Sequence, residues 1–153
     1  MSAREKIESF PRIKIRIESL SDLVFGLALS IGSLEFIART PQDPTSLAVS
    51  IALFGFSFMV VVSIWIGYSR IMTIISQETS GTVSLNLLLL FCLVLEPYLF
   101  FVLYSGVSFL DWASFAYAID VGGMFLILGG LIRLALRRKI AQDVHPILLE
   151  DFA

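Results

Sequence analysis

The 153 residues are 57% hydrophobic and only 16% charged, whereas a soluble domain of this length carries about 25% charged residues. A mean hydropathy of +0.87 belongs in a bilayer, and a net charge of -2 leaves no basic field for nucleic acid. The one cysteine, Cys92, has no intrachain disulfide partner, and the one histidine, His145, has no Cys or His at ligand spacing. Neither a disulfide framework nor a His/Cys metal site is supported, and no cofactor is expected.

The N-terminus, "MSAREKIESFPRIKIRIES", mixes acids and bases and has no apolar core followed by a small-residue cleavage site. It is therefore expected to stay on the mature protein. Beyond it, four stretches reach the roughly 20 mostly apolar residues that a spanning helix needs: about 20–37, 47–69, 85–105 and 113–136. The predicted fold class is an all-α integral membrane protein, one membrane domain over 1–153 with four transmembrane helices.

In the first span, 3.6 residues per turn put Leu20, Leu23, Leu27, Ile31 and Leu34 on one stripe. Ser19, Asp22, Gly26, Ser30 and Ser33 form a second, narrow stripe beside it. Small residues suit close helix packing in a membrane, where lipid and leucine are equally apolar. The large stripe faces either lipid or a pore. At the base of this helix Arg16 and Asp22 stand six residues apart with Ser19 and Ser21 between them. They can satisfy first-turn N–H groups and one another, or serve as an N-cap with a snorkelling arginine.

The second span, "FGFSFMVVVSIWIGYSRIM", ends in Trp65, Tyr68 and Arg70, which fit an aromatic belt at the inner interface. The third, "LNLLLLFCLVLEPYLF", carries Glu96 about 17 Å into a core about 30 Å thick, counting 1.5 Å per residue from Leu85. On the fourth span, Asp120 falls roughly 10 Å below the outer face by the same count, at a similar depth. Either Glu96 and Asp120 share a proton or a cation, or Pro97 breaks the helix and Glu96 faces a wet cleft or caps freed backbone groups. Gly122, Gly123, Gly129 and Gly130 read as a close-packing face.

The basic residues set the orientation. Arg4, Lys6, Arg12, Lys14 and Arg16 precede the first span, Arg70 follows the second, and Arg133, Arg137, Arg138 and Lys139 close the fourth, leaving Arg39 alone on the other side. Both termini, with tails 1–15 and 139–153, are expected in the cytoplasm.

"RIESLSD", Arg16 to Asp22, resembles the R-x-x-x-F-S-D signature that opens the first helix of transmembrane-protein-175 type potassium channels, with Leu20 where that family has phenylalanine. Two further landmarks follow in order. Ser57, Phe58, Trp65 and Arg70 are similar to the family's second helix, and Asn86 with Pro97 eleven residues later to its third. The resemblance covers roughly Lys14 to Arg138.

It implies a potassium-favouring cation channel in a cell membrane, a homo-oligomer, most simply a tetramer, in which the first helix of each subunit lines a central pore. Monovalent cations, the lipid bilayer and other copies of the chain would be its partners. By offset from Asp22, the pore positions carry over to Leu27, Ile31 and Leu34, with Ser30 at a polar position linked to selectivity. Arg16, Ser21 and Asp22 would tie the cytoplasmic end of this helix to Trp65, Tyr68 and Asn86. Rings of leucine close a pore by bulk and dewetting, and the absence of T-V-G-Y-G excludes a carbonyl cage.

Prokaryotic members of that family have six helices per subunit, against four spans here, and Gly67, Tyr68 and Ser69 stand where a histidine is expected. A four-helix proton-coupled secondary transporter and a non-conducting membrane subunit are the competing readings. Small multidrug transporters place a glutamate mid-span in their first helix, whereas this one has no acid between Asp22 and Glu35. No nucleophile and base pairing argues for an enzyme.

Overall fold

The computed structural model describes residues 3–38, 41–75, 79–105 and 108–150, with side chains over 15–34, 41–75, 79–105 and 108–137. Arg39, the tail side chains and the cationic side chains of Arg4, Lys6, Arg12, Lys14, Arg138 and Lys139 lie outside that description. All four described elements are helices: α1 (Ala3–Ala38), α2 (Pro44–Ile74), α3 (Ser80–Tyr104) and α4 (Leu110–Glu150). No strand occurs among the described residues. Each helix contains a stretch long and apolar enough to cross a membrane: Ile15–Leu34, Pro44–Ile74, Ser80–Tyr104 and Leu110–Arg137. α1 and α4 both continue as helix into the terminal segments that the sequence reading treats as tails.

The helix starts follow local chemistry. Asp43 caps α2 by accepting from the Ser46 amide at 2.7 Å, while Ser46 Oγ returns a bond from the Asp43 amide at 3.2 Å. Pro44 occupies the first turn, where its missing N–H goes unused. Thr79 caps α3, its side chain accepting from the Thr82 amide. Pro97 does not break α3, which continues as one helix from Ser80 to Tyr104. A proline removes one N–H and presses on the carbonyl four residues back, and helices in a membrane tolerate both where neighbours re-satisfy the backbone.

Among the described residues α1 packs on α2 and α3, α4 packs on α3 and α2, and α1 and α4 do not meet. The helices therefore stand in the cyclic order α1, α2, α4, α3, with α2 and α3 on a diagonal. The centre is apolar, with Ile64, Leu89, Leu93, Met124 and Leu131 wholly or almost wholly buried.

The covered face of α1 differs from the expected one. Ser21, Phe25 and Ala28 are buried, whereas the small stripe of Ser19, Asp22, Gly26, Ser30 and Ser33 is exposed. Phe25 fills the α1–α2 seam by packing its ring on Tyr68, centroids 5.7 Å apart. An aromatic and an alanine at i and i+3 make a better knob and hole than a row of serines.

The α4 glycines also depart from expectation. A methyl added at Gly122, Gly123 or Gly129 would meet nothing within 4 Å, and at Gly130 it would meet Leu85 at 3.5 Å. The tight position is Gly67 on α2, where an added Cβ would stand 3.2 Å from Leu128 Cδ1. Gly67→Val should wedge α2 from α4 and cost about 1–3 kcal/mol, read as a lower Tm in detergent. Gly55→Ala, with no atom within 4 Å of the added methyl, should leave Tm unchanged or raise it.

Candidate functional site

Polar side chains cluster at two heights of the bundle. The first height joins α1, α2 and α3 at one hydroxyl. Ser21 is wholly buried on α1. Its Oγ accepts from Tyr68 Oη at 2.7 Å and from Asn86 Nδ2 at 3.3 Å, and donates to the Ile17 carbonyl at 2.8 Å. Two acceptances and one donation use the full capacity of a serine hydroxyl. Tyr68 and Asn86 are themselves buried, and Asn86 Oδ1 finds no hydrogen-bond partner among the described residues.

Asp22, one residue on, points to the outside of the α1–α2 seam, where Trp65 Nε1 donates to its Oδ1 at 3.3 Å. The family resemblance implies a tie from Arg16, Ser21 and Asp22 to Trp65, Tyr68 and Asn86; Ser21 meets Tyr68 and Asn86, and Asp22 meets the Trp65 indole. Successive residues lie about 100° apart around a helix, and the buried serine and the exposed aspartate meet different side chains of α2, Tyr68 and Trp65. Arg16 is exposed. Above Asp22 the seam opens into a cleft of about 350 Å³ lined by Phe25, Gly26, Leu29, Val61, Val62 and Trp65.

The second height joins α2, α3 and α4. Glu96 is wholly buried. Ser57 Oγ donates to its carboxylate, 3.0 and 3.1 Å from the two oxygens, and Tyr117 Oη donates to Oε1 at 3.2 Å. Glu96 therefore faces the bundle interior and not a wet cleft. Phe100 covers it, with its ring 5.7 Å from Tyr117 and 6.1 Å from Phe56. Asp120 is buried beside it. Ser57 and Tyr117 are the functional-looking residues that sequence reasoning leaves unassigned to Glu96. The available signal was depth for Ser57, which counts about 15 Å from the outer end of its span and so to the carboxyl's level, whereas Tyr117 counts only about 6 Å.

The candidate pore residues lie on the opposite side of α1 from its packing face. Leu23 is 67% exposed, Leu27 49% and Leu34 59%. Ile31 is half-buried, and Ser30 is exposed with its hydroxyl bonded to the Gly26 carbonyl at 2.8 Å. These leucines belong to the most open apolar side chains described on α1, with Leu27 about half covered. Among the described residues no group of His, Cys, Asp and Glu is placed to hold a metal ion.

Ser21→Ala takes away the acceptor that the Tyr68 and Asn86 donors share, and Tyr68→Phe removes one of those donors. The two changes should be non-additive: thermal unfolding of the single and double variants in one detergent should give a coupling of about 0.5–2 kcal/mol. Strictly additive losses would mean that the hydrogen bond contributes nothing.

No curated protein and no solved structure matches the chain. The family described as endosomal/lysosomal potassium channel TMEM175 matches residues 16–97, more than half of the 153. The matched segment begins at Arg16, ends at Pro97, and takes in the whole Ser21–Tyr68–Asn86 cluster and the exposed leucine stripe. The pattern of Arg16, Ser21 and Asp22 followed by Trp65 and then Asn86 is thus carried by a match that spans three successive helices, and the chain belongs to the TMEM175 potassium channel family.

Proposed function

We propose that the chain assembles as a homotetramer around α1, with both termini in the cytoplasm, and conducts monovalent cations with a preference for potassium. Leu27, Ile31 and Leu34 of the four subunits meet near the axis and close the path, and Ser30 supplies hydroxyls between them. Arg16, Asp22 and Trp65 at the cytoplasmic end, with the buried Ser21–Tyr68–Asn86 cluster, hold each pore helix against its own α2 and α3.

The observation that carries this reading is the division of α1. One face is locked into the bundle by Ser21, Phe25 and Ala28, and the opposite face presents bare leucines. Among the described residues the centre of the bundle is filled by buried apolar side chains, so the pore forms between copies. In such a pore each ring presents branched hydrocarbon to a narrow water column, and a crossing ion loses hydration without a polar replacement. Closure then depends on side-chain bulk and dryness and needs no charged plug.

The buried Glu96 favours a second reading, a proton-coupled transporter. A potassium gradient separates the two, because a channel passes current without any pH gradient and a coupled transporter does not. Purified protein in planar bilayers should pass potassium-carried current whose reversal potential follows the potassium gradient at symmetric pH.

Leu27→Asn gives the ion a polar partner at the narrow point. Each 1.4 kcal/mol taken off the barrier multiplies the rate by about ten, so basal current at matched protein level should rise at least about tenfold. Phe25→Asn, buried against Tyr68, should lower stability without opening the path. Equal, wild-type-like currents from the two variants would show that the leucine stripe faces lipid or a neighbour.

A further inference from the structure

Among the described residues the second polar layer has no counter-charge. From α2 it receives Ser57, from α3 Cys92 and Glu96, and from α4 Tyr117 and Asp120. Asp120 is 6% exposed and close enough to Glu96 for two negative charges to repel. Its Oδ2 is buried and finds no hydrogen-bond partner among the described residues, while the Cys92 thiol is turned to the same carboxyl. The described ionisable side chains of α1, Arg16, Glu18 and Asp22, lie at the other end of the bundle, with Arg70 of α2. On α4, Arg133 follows Asp120 by thirteen residues, about 20 Å of helix. Asp43 and Asp111, at the starts of α2 and α4, are exposed and add no positive charge.

Two ionised carboxylates at membrane depth without a cation cost far more than the hydroxyl donors of Ser57 and Tyr117 return. One proton removes a charge, abolishes the repulsion and turns an orphaned acceptor into a donor. A metal ion would need a shell of ligands, and no group of three or more His, Cys, Asp or Glu suited to one occurs among the described residues. A proton needs one carboxyl oxygen and one acceptor. We propose that Glu96 and Asp120 form a proton-binding site inside the membrane, holding one proton between them and fastening α3 to α4. The proton is taken up from water and returns to it, and it belongs to the pair. This site is independent of what the pore conducts.

The unfolded chain exposes both carboxyls to water and releases the proton at neutral pH, so the folded chain binds more protons than the unfolded one. Stability is then greatest in mild acid and falls as pH rises. The test uses the full chain in nanodiscs. Infrared spectra of the wild type at neutral pH should show the carbonyl band of a protonated carboxylic acid, shifted in heavy water and lost in Glu96→Gln/Asp120→Asn. Tm should fall from mildly acidic to alkaline pH in the wild type, and less steeply in the double variant. A wild-type spectrum without the band would overturn the proposal, and so would its persistence in the double variant. A Tm raised by sodium or potassium over choline at equal ionic strength would make the occupant a metal ion and overturn it equally. If the double variant fails to fold, the wild-type band and its loss in Asp120→Asn alone decide the question.

Discussion

Hydrocarbon offers no hydrogen bonds, so every polar side chain that these helices carry inward has to be met by another helix. Leucine on leucine provides little orienting force in a bilayer, because lipid is as apolar as the partner helix. Directional contacts therefore set the register. The bundle makes them in two layers separated by the ten residues from Asn86 to Glu96, about 15 Å along α3. At one level the Ser21 hydroxyl joins α1, α2 and α3, and at the other the Glu96 carboxylate joins α2, α3 and α4. Fixing a helix at two heights removes both sliding and rotation, which one contact alone leaves free. α2 and α3 stand on the diagonal, and they are the two helices that contribute to both layers.

The apolar centre between the layers then needs only to fill space. Ile64, Leu89, Leu93 and Met124 do so with almost no exposure, and Gly67 lets Leu128 approach α2. That glycine stands in the Gly67, Tyr68, Ser69 segment, where the family resemblance leads one to expect a histidine. The next residue, Tyr68, reaches across to Ser21 with its hydroxyl. The chain thus meets the buried serine with a phenol from the same turn of α2.

Four helices and their approximate spans were legible in the sequence, because long apolar runs are strong signals in a membrane protein. Which neighbour each polar residue meets was not. Ser21 and Asp22 are adjacent, and charge draws attention to the aspartate, yet the residue turned inward is the serine. The turn of α1 about its own axis depends on Phe25 finding Tyr68, a contact between helices that periodicity within one helix does not contain. The small stripe misled for the same reason: glycine and serine permit close approach but do not cause it. Pro97 signalled a break that the surrounding helices suppress. The burial of Glu96 among hydroxyls depends on the relative heights of α2, α3 and α4, which span boundaries uncertain by a few residues leave open.

The geometry of α1 bears on how copies would fit together. At about 100° per residue the helix presents three faces around its axis: Ser21, Phe25 and Ala28 in the bundle, the leucine stripe away from it, and the small stripe between. Exposed leucines alone do not separate a pore from a lipid surface, since acyl chains cover leucine without loss. The small stripe is different. Gly26 has no atom within 4 Å of its Cβ position and borders the cleft with Leu29 and Val61, and such a shallow surface packs poorly on mobile acyl chains but admits a helix closely. The hydroxyl of Ser33 is bonded back to its own helix, so a neighbour could approach it without having to satisfy it. In the proposed ring, a helix seated on the small stripe turns the adjacent leucine stripe toward the axis. The face that packs within the chain, the face that packs between chains and the face that closes the path are then three consecutive sectors of one helix, and a rotation of α1 by a single residue would put each in the wrong place. In that ring the Ser21 hydroxyl would sit on the sector turned away from the pore, and by fixing the rotation of α1 it would decide which side chains face it.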